Sequence, residues 1–521
     1  MNRSPKSIKT TWKRRLTQAA ASFIFVGTPA CRIPSLTYAD AAPNLPDAYP
    51  ATIGTANPAP APISPLAAVA GCASCVNANG VLTAVENSGL AGVDEFYKDP
   101  NLTQLIAQAM AGNRELKILE QEVVIANNEV TARRGAYLPL IGLGFGGGME
   151  QTSRYTRNGV VENQLEILPG QPFPNPLWNI RLGADINWQI DIWRRLRNAR
   201  DAAAQRALAA QERRNAFVTR LVADVAENYY ALMALDQRML NLDKTIELQQ
   251  QSQDLSQARL DQGRGTVLAV QRFQAEVRRN QSEKLIVQQD IIEAENRINI
   301  LLNRYPEPVP RTTTGFFDLT IHALSVGVPA QLLANRPDIR QAERELTAAG
   351  LDVKVARAQF FPQLSISAGV GFEAFDPRFL FRPDALAAAA AGNLVAPLVN
   401  RLAIRAEYQS ANARQLQSIY NYQRVVLNAF TEVANRMSMA ENYRKSVEIR
   451  KKQLESLEAS VASASQLFQN ARAEYVEVLL AQRDLLEARS VLIDTKRQQL
   501  TAVVNAYQAL GGGTVLSTMP R

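Results

Sequence analysis

"NIRLGADINWQIDIW", residues 179–193, alternates without a slip. Ile180, Leu182, Ala184, Ile186, Trp188, Ile190 and Ile192 fall on one side. Arg181, Gly183, Asp185, Asn187, Gln189 and Asp191 fall on the other. A period of two belongs to an extended strand, whose side chains point alternately to opposite faces. One face must meet an apolar medium and the other a wet one. A soluble antiparallel sheet with one solvated face satisfies that, and so does a membrane strand with lipid outside and a polar lumen inside. The length suits the ~9–11 tilted residues of a membrane strand plus some overhang. Trp188 and Trp193 stand near one end, where interfacial aromatics belong.

Two other stretches share the plan and add a corner. "TARRGAYLPLIGLGFGGG" (131–148) and "VARAQFFPQLSISAGVGF" (355–372) begin as helix, stop at Pro139 and Pro362, and then alternate. Proline ends a helical ladder because it has no N–H to donate. In the first, Ile141, Leu143, Phe145 and Gly147 face one way and Gly142, Gly144, Gly146 and Gly148 the other. In the second, Leu364, Ile366, Ala368, Val370 and Phe372 oppose Gln363, Ser365, Ser367, Gly369 and Gly371. A fourth strand is expected in "AAAAAGNLVAPLVN" (387–400). It alternates poorly, and "DALAAAAAG" (384–392) also reads as helix.

Prolines divide the remainder. None lies between Pro176 and Pro306, and none between Pro397 and Pro520. Such windows, rich in Ala, Gln, Glu, Arg and Leu, predict very long helices. Gly263 and Gly265 mark a hairpin turn in the first. In the second, "FQNARAEY" (468–475) holds the turn, with Asn470 the expected left-handed residue. The arms come to about 60 and 40 residues, roughly 90 and 60 Å. Leu454, Leu457, Val461, Ala464 and Phe468 step by threes and fours, as do Val478, Ala481, Leu485, Ala488 and Leu492, which are coiled-coil seams. Asp99-Pro100 opens an earlier helix, and another follows Asn113.

The two halves are one unit twice: helix, strand, loop, strand, long helical hairpin. "NRELKILEQEV" answers to "NRPDIRQAERE", "GAYLP" to "AQFFP", and "VLAVQR" (267–272) to "VLLAQR" (478–483). Two units supply four strands, too few to close a barrel, and an open sheet edge is not tolerated in hydrocarbon. Membrane strands of this number require several chains to share one barrel.

Of 521 residues, 46% are hydrophobic and 20% charged, the make-up of a folded protein. The net charge of +8 suggests nucleic acid until it is located: Arg3, Lys6, Lys9, Lys13, Arg14 and Arg15 lie in residues 1–30 without an acid among them. The rest is nearly neutral, so nucleic acid is set aside as a partner. That basic start, then "LTQAAASFIFVGTPA" and Cys31, reads as an export signal over 1–30. A cysteine directly after Ala30 is a bacterial lipoprotein acylation site. Pro29 is unusual in that flank, and plain cleavage is the alternative. Residues 31–92 are Pro/Ala-rich, a tether without a packed core.

Cys72 and Cys75 form a lone C-x-x-C without the further ligands of a zinc site, and read as a local disulfide or idle thiols. No run approaches the ~20 apolar residues of a spanning helix. With His322 the chain's only histidine and no glycine-rich phosphate loop, no metal, no cofactor and no catalysis are expected.

From about residue 90 to 515 the chain resembles the outer-membrane factor family. It is TolC-like and closest in style to the lipidated, OprM-like branch. The carrying stretches are "DEFYKDPNLTQLIAQAMAGNREL", "RRGAYLP", "NWQIDIWRRLRNARDAA", "RPDIRQAERELTAAGLDVKVARAQFFP" and "VLLAQRDLLEARSVLIDTKRQQLTAVVNAYQALGGG". The resemblance implies a mainly α fold with a membrane β-barrel: a trimer whose twelve-stranded barrel continues into a helical coiled-coil tunnel. It implies an outer-membrane exit duct of a tripartite efflux system, docked on a periplasmic adaptor protein and an inner-membrane transporter, RND-type by analogy. A type I secretion channel, or a lipid-anchored periplasmic scaffold without a pore, are the alternatives. The corners at Pro139 and Pro362 would be where tunnel becomes barrel.

The resemblance also implies that the hairpin tips close the duct with acids and an arginine. Arg483 matches the family arginine and Tyr475 a tip tyrosine, but Leu480 stands where the OprM-like branch has aspartate. An apolar constriction at Leu480 with a Glu477–Arg483 charge layer is expected, against plain packing of Leu480 in the seam. Gln262, Arg264, Thr266, Asn470 and Arg472 are the expected adaptor-facing residues. The expected divisions are 93–305 and 335–511 for the repeats, 306–334 for the linker and 512–521 for the tail.

Overall fold

One series of elements occurs twice along the chain. The computed structural model describes residues 33–42, 46, 88–312, 315–319, 321, 329, 331–399, 401–470 and 472–513. The first pass comprises α1 (Val93–Tyr97), α2 (Pro100–Gly112), α3 (Arg114–Gly135), β1 (Leu140–Glu150), α4 (Arg157–Glu162), β2 (Glu166–Leu168), β3 (Gln171–Pro172), β4 (Leu177–Ile190), α5 (Arg195–Asp261) and α6 (Val267–Leu301). The second comprises α7 (Gln331–Asn335), α8 (Pro337–Ala358), β5 (Gln363–Ala374), β6 (Leu386–Val395), α9 (Leu402–Gln469) and α10 (Tyr475–Ala509). α3 and α8 both have 22 residues, α5 and α9 have 67 and 68, and α6 and α10 both have 35. The long arms rise about 100 Å and the short ones about 50 Å. Cys31, Cys72, Cys75 and His322 lie outside the described residues.

The chain forms two compact units, and each draws on both halves. One unit takes Gly135–Asn198 and Asp352–Arg414 with the segment ending at Ala39. The other takes Asp40–Arg134, Ala199–Leu351 and Gln415–Arg521.

The first unit holds a four-stranded antiparallel sheet in the order β1-β4-β5-β6. Its register sets Ile141, Ile186, Ala368 and Ala390 in one row, then Leu143, Ala184, Val370 and Ala388, then Phe145, Leu182, Phe372 and Leu386. The alternation read in single strands therefore becomes one continuous apolar face. β6 is a strand in spite of its alanine run. Ladder bonds to β5, from Gln363↔Val395 to Phe372↔Leu386, outweigh a helix preference of a few tenths of a kcal/mol per residue.

Each proline corner is sealed by a tryptophan. Pro139 stands between the end of α3 and the start of β1, and Pro362 between α8 and β5. Helix ends leave carbonyls without partners. Trp188 Nε1 donates to Tyr137 O at 3.0 Å, and Trp193 Nε1 donates to Pro362 O at 2.7 Å, its ring stacked on Phe361. β4 stops at Ile190, short of the expected Ile192. Asp191 leaves the strand pattern to cap α5, accepting from the N–H groups of Leu196 and Arg197 at 3.0 and 2.9 Å.

Beside the second corner, Ile33 and Leu36 pack on Phe360 and Tyr408. Thr37 Oγ1 accepts from Asn412 Nδ2 at 3.2 Å. This part of the expected tether is thus packed, because two apolar residues in it find an apolar corner.

In the second unit, Asp99 caps α2 by accepting from Asn101 N, with Pro100 at the first helical position, where its missing N–H costs nothing. Phe96 stacks on Tyr507 at 3.9 Å, and both are buried with Leu102, Ile106, Val225 and Tyr229. Each repeat is tied end to start. Asn113, heading α3, donates to Leu301 O at 3.0 Å, and Arg336, heading α8, donates to Ala509 O at 2.8 Å. Arg336 is buried and also pairs with Asp338 and Glu432 at 2.8 and 2.9 Å. These ties explain the repeated Asn-Arg motif physically. It closes the carbonyl end of the returning helix, at Leu301 in α6 and Ala509 in α10.

Candidate channel wall and hairpin tips

The sheet's second face is polar and low. Asp185, Asn187, Gln189, Ser365, Ser367 and Asn393 project from it, interspersed with Gly142, Gly144, Gly183, Gly369 and Gly371. Its two outer strands, β1 and β6, have no partner on their outer edges, and every residue of both is exposed. Leu143 is 88% exposed and Phe145 75%. A bare apolar face next to open ladder edges is unstable in water and tolerable in lipid only once the edges are paired. Trp178 and Trp188, both on the apolar face, bracket the band, about 33 Å apart along the strand. Among the described residues no helix is long and apolar enough to cross a membrane.

The first hairpin turns in a Schellman motif: Gly263 N donates to Leu260 O at 2.9 Å and Arg264 N to Arg259 O at 2.8 Å. Gly263 takes φ 68°, which a side chain resists. Gln262, Arg264 and Thr266 are exposed, and Thr266 also caps α6 by accepting from Ala269 N at 3.3 Å. At the second tip Asn470 and Arg472 are exposed. Asn470 is not left-handed; its N–H donates to Gln466 O at 3.1 Å, which continues the helix. Arg472 N reaches back to Leu467 O at 2.8 Å, the same long bond as at the first tip.

The proposed gate residues separate. Leu480 is 49% exposed and so is not buried in the chain's own seam, whereas Val478 and Leu485 are buried. Tyr475 packs inward on a cluster of Phe273, Phe468 and Val478. Glu477 and Arg483 are both exposed but, six residues apart, stand about 240° round the helix and form no ion pair with each other. Within one chain, then, these two charges do not meet.

Arg259, which sequence reasoning passed over, joins the tips. It donates to Phe468 O and, at 3.4 Å, to Gln469 O, while its guanidinium lies 4.3 Å over the Phe468 ring. Deeper in the seam Gln482 Nε2 donates to Ser252 Oγ at 3.0 Å, and Asn280 Nδ2 to Gln249 Oε1 at 2.8 Å. The one signal for Arg259 was an aromatic at the last seam position before the turn, Phe468. Among the described residues no cluster of His, Cys, Asp and Glu could hold a metal.

A two-faced sheet with open edges, in one chain with two coiled-coil hairpins, defines a membrane channel protein of the barrel-and-hairpin class. The family model "Outer membrane efflux protein" matches residues 105–304 and 328–512, and the chain belongs to that family. It is 28% identical over 439 residues to the cation efflux system protein CusC of Escherichia coli O6:H1, covering 84% of this chain and 91% of that protein. It is 27% identical over 440 residues to the solvent efflux pump outer membrane protein SrpC of Pseudomonas putida, covering 82% and 89%. A crystal structure of CusC superposes with a TM-score of 0.74 at 25% identity, covering 82% of this chain and 96% of that one. The fold is TolC-like, and the protein is an outer-membrane efflux channel protein with long periplasmic helices.

Proposed function

We propose that three copies pool their sheets into one twelve-stranded barrel, and that the hairpins of the three enclose a passive, non-catalytic duct. The observation that carries this is the pair of open edges: β6 of one copy can pair with β1 of the next, and three copies leave no edge exposed. Substrates would enter from a periplasmic adaptor served by an inner-membrane pump, RND-type by analogy with the lipidated branch. The contacts are proposed at Gln262, Arg264, Thr266, Asn470 and Arg472, all exposed at the tips. Leu480 would form the constriction, with Glu477 and Arg483 drawn from different copies. The repeats over 93–305 and 335–511, joined by 306–334, each supply two strands and one hairpin.

We also propose acylation of Cys31. Two residues further on, Ile33 packs on Phe360 and Tyr408. Cys31→Ser should abolish incorporation of labelled palmitate; incorporation that persists excludes that site.

The test of the duct is a pair of spin labels in native outer membranes. A label replacing Ile186 should collide with oxygen in lipid, and one replacing Asn187 with a water-soluble relaxant. Equal hydration of both would remove the barrel. Migration as a heat-modifiable, SDS-resistant oligomer should accompany the first result.

A further inference from the structure

The polar face of the sheet carries four charged residues among those described, Glu150, Arg181, Asp185 and Glu373, so Arg181 is the one cation there. By register Arg181 stands opposite Glu373, yet it turns away from that carboxylate. Its Nη2 meets Asp185 Oδ1 at 2.5 Å, while Glu373 accepts from Asn179 Nδ2 at 2.8 Å. Residues four apart in a strand lie about 13 Å apart at Cα. The two side chains therefore meet only by lying flat along the wall.

The wall is shaped for that. Gly144, Gly183, Gly371 and Ala387 form a row across all four strands with no side chain beyond a methyl group. A Cβ on Gly369 would stand 2.6 Å from Asp185 Oδ1 and 2.7 Å from Arg181 Nη2, and one on Gly371 would run into Gly183. The missing side chains leave a shallow floor, and the ion pair fills it. Both partners stay nearly half exposed, 46% and 41%, so their charges act on whatever passes.

We propose that Arg181 is the specificity-determining residue of the barrel lumen: laid over Asp185, it cancels that one of the wall's three carboxylates and so eases the passage of anionic groups. This rests on the polar face being the lumen. Glu150 and Glu373 form no ion pair with Arg181; without it, Asp185 would join them as a third uncompensated carboxylate per copy around the shared barrel. At ~0.1 M salt such charges are felt over a Debye length of about 10 Å, comparable with the half-width of a small barrel.

The test is a spin label replacing Ser367, which is paired with Asn187 one row from Gly369. Its collisions with an anionic and a neutral relaxant of similar size are compared in outer-membrane vesicles. This reading is local to the barrel and independent of closure at the tips. Arg181→Gln should lower the anionic-to-neutral ratio by about two-fold or more at 0.1 M salt, and Asp185→Asn should raise it. Arg181→Lys and the double variant should return it towards wild type, and 1 M salt should erase the differences. Ratios unchanged in both single variants overturn the proposal. If Arg181→Gln fails to assemble, Asp185→Asn decides alone. A wild-type label reached by neither relaxant removes the lumen reading itself.

Discussion

The guanidinium of Arg259 closes α9 twice over, lying 4.3 Å above the ring of Phe468 and donating to the carbonyl of that same residue. A helix's last carbonyls have no partner of their own, and a cation is favoured there. One side chain of the first hairpin thus satisfies the end of the second. Arg259→Ala should cost about 2 kcal/mol locally, from charged hydrogen bonds and ring contact. Amides of residues 463–470 should exchange faster by at least about ten-fold, and Arg259→Lys should recover only part of this. Exchange that stays at the wild-type rate would deny the tie.

Leu480 is 49% exposed, although Val478 and Leu485 beside it in α10 are buried. Leu480→Ser should raise the single-channel conductance of the purified protein in planar bilayers, because a wet serine no longer excludes ions. Unchanged conductance would take Leu480 out of the gate.

Arg336 is buried, and removing it takes a donor from the Ala509 carbonyl and from two half-exposed carboxylates. Arg336→Ala should lower stability by about 2 kcal/mol, because its guanidinium is buried on the Ala509 carbonyl while Asp338 and Glu432, 40% and 37% exposed, stay partly solvated. Denaturant melts of the detergent-solubilised protein measure it. A loss below about 1 kcal/mol would show that Asn113-type ties carry the repeat without it.

Lys496 is buried against the linker, donating to Leu319 O at 2.8 Å and Gln499 Oε1 at 3.3 Å. Burial, and then the nearby Lys451, push its pKa down to about 8, against the opposing pull of Asp318 and Glu448. Between about pH 8 and the ordinary lysine value near 10.5, the unfolded chain holds a proton that the folded one has released. Stability therefore rises with pH across that window and is flat below it. Thermal melts of wild type and Lys496→Met at pH 7, 8.5 and 10 should show the difference moving in favour of wild type as pH rises. A constant difference would place the ordinary pKa on Lys496.

The two-faced strands, the proline corners and the long arms were legible because each depends on neighbours a few residues away. Alternation of Ile180 to Ile190 needs only the pleat, and the absence of proline from 177–305 needs only the helical ladder. The alanine run of β6 was ambiguous for the opposite reason. Alanine favours helix locally, and only pairing with β5 makes it a strand. Asn470 misled because its residue type suits a left-handed turn, while its N–H continues the helical ladder to Gln466 O. Glu477 and Arg483, close in the sequence, stand about 240° apart round α10 because six residues are not a whole number of turns.

Periodicity and duplication, then, were properties of the sequence alone, since backbone sterics and side-chain period act within one element. Tertiary structure alone decided which distant groups meet: Arg259 with the end of α9, Arg336 with Ala509, and Trp193 with Pro362. Such choices depend on desolvation and hydrogen-bond geometry between elements tens to hundreds of residues apart. No local pattern encodes them.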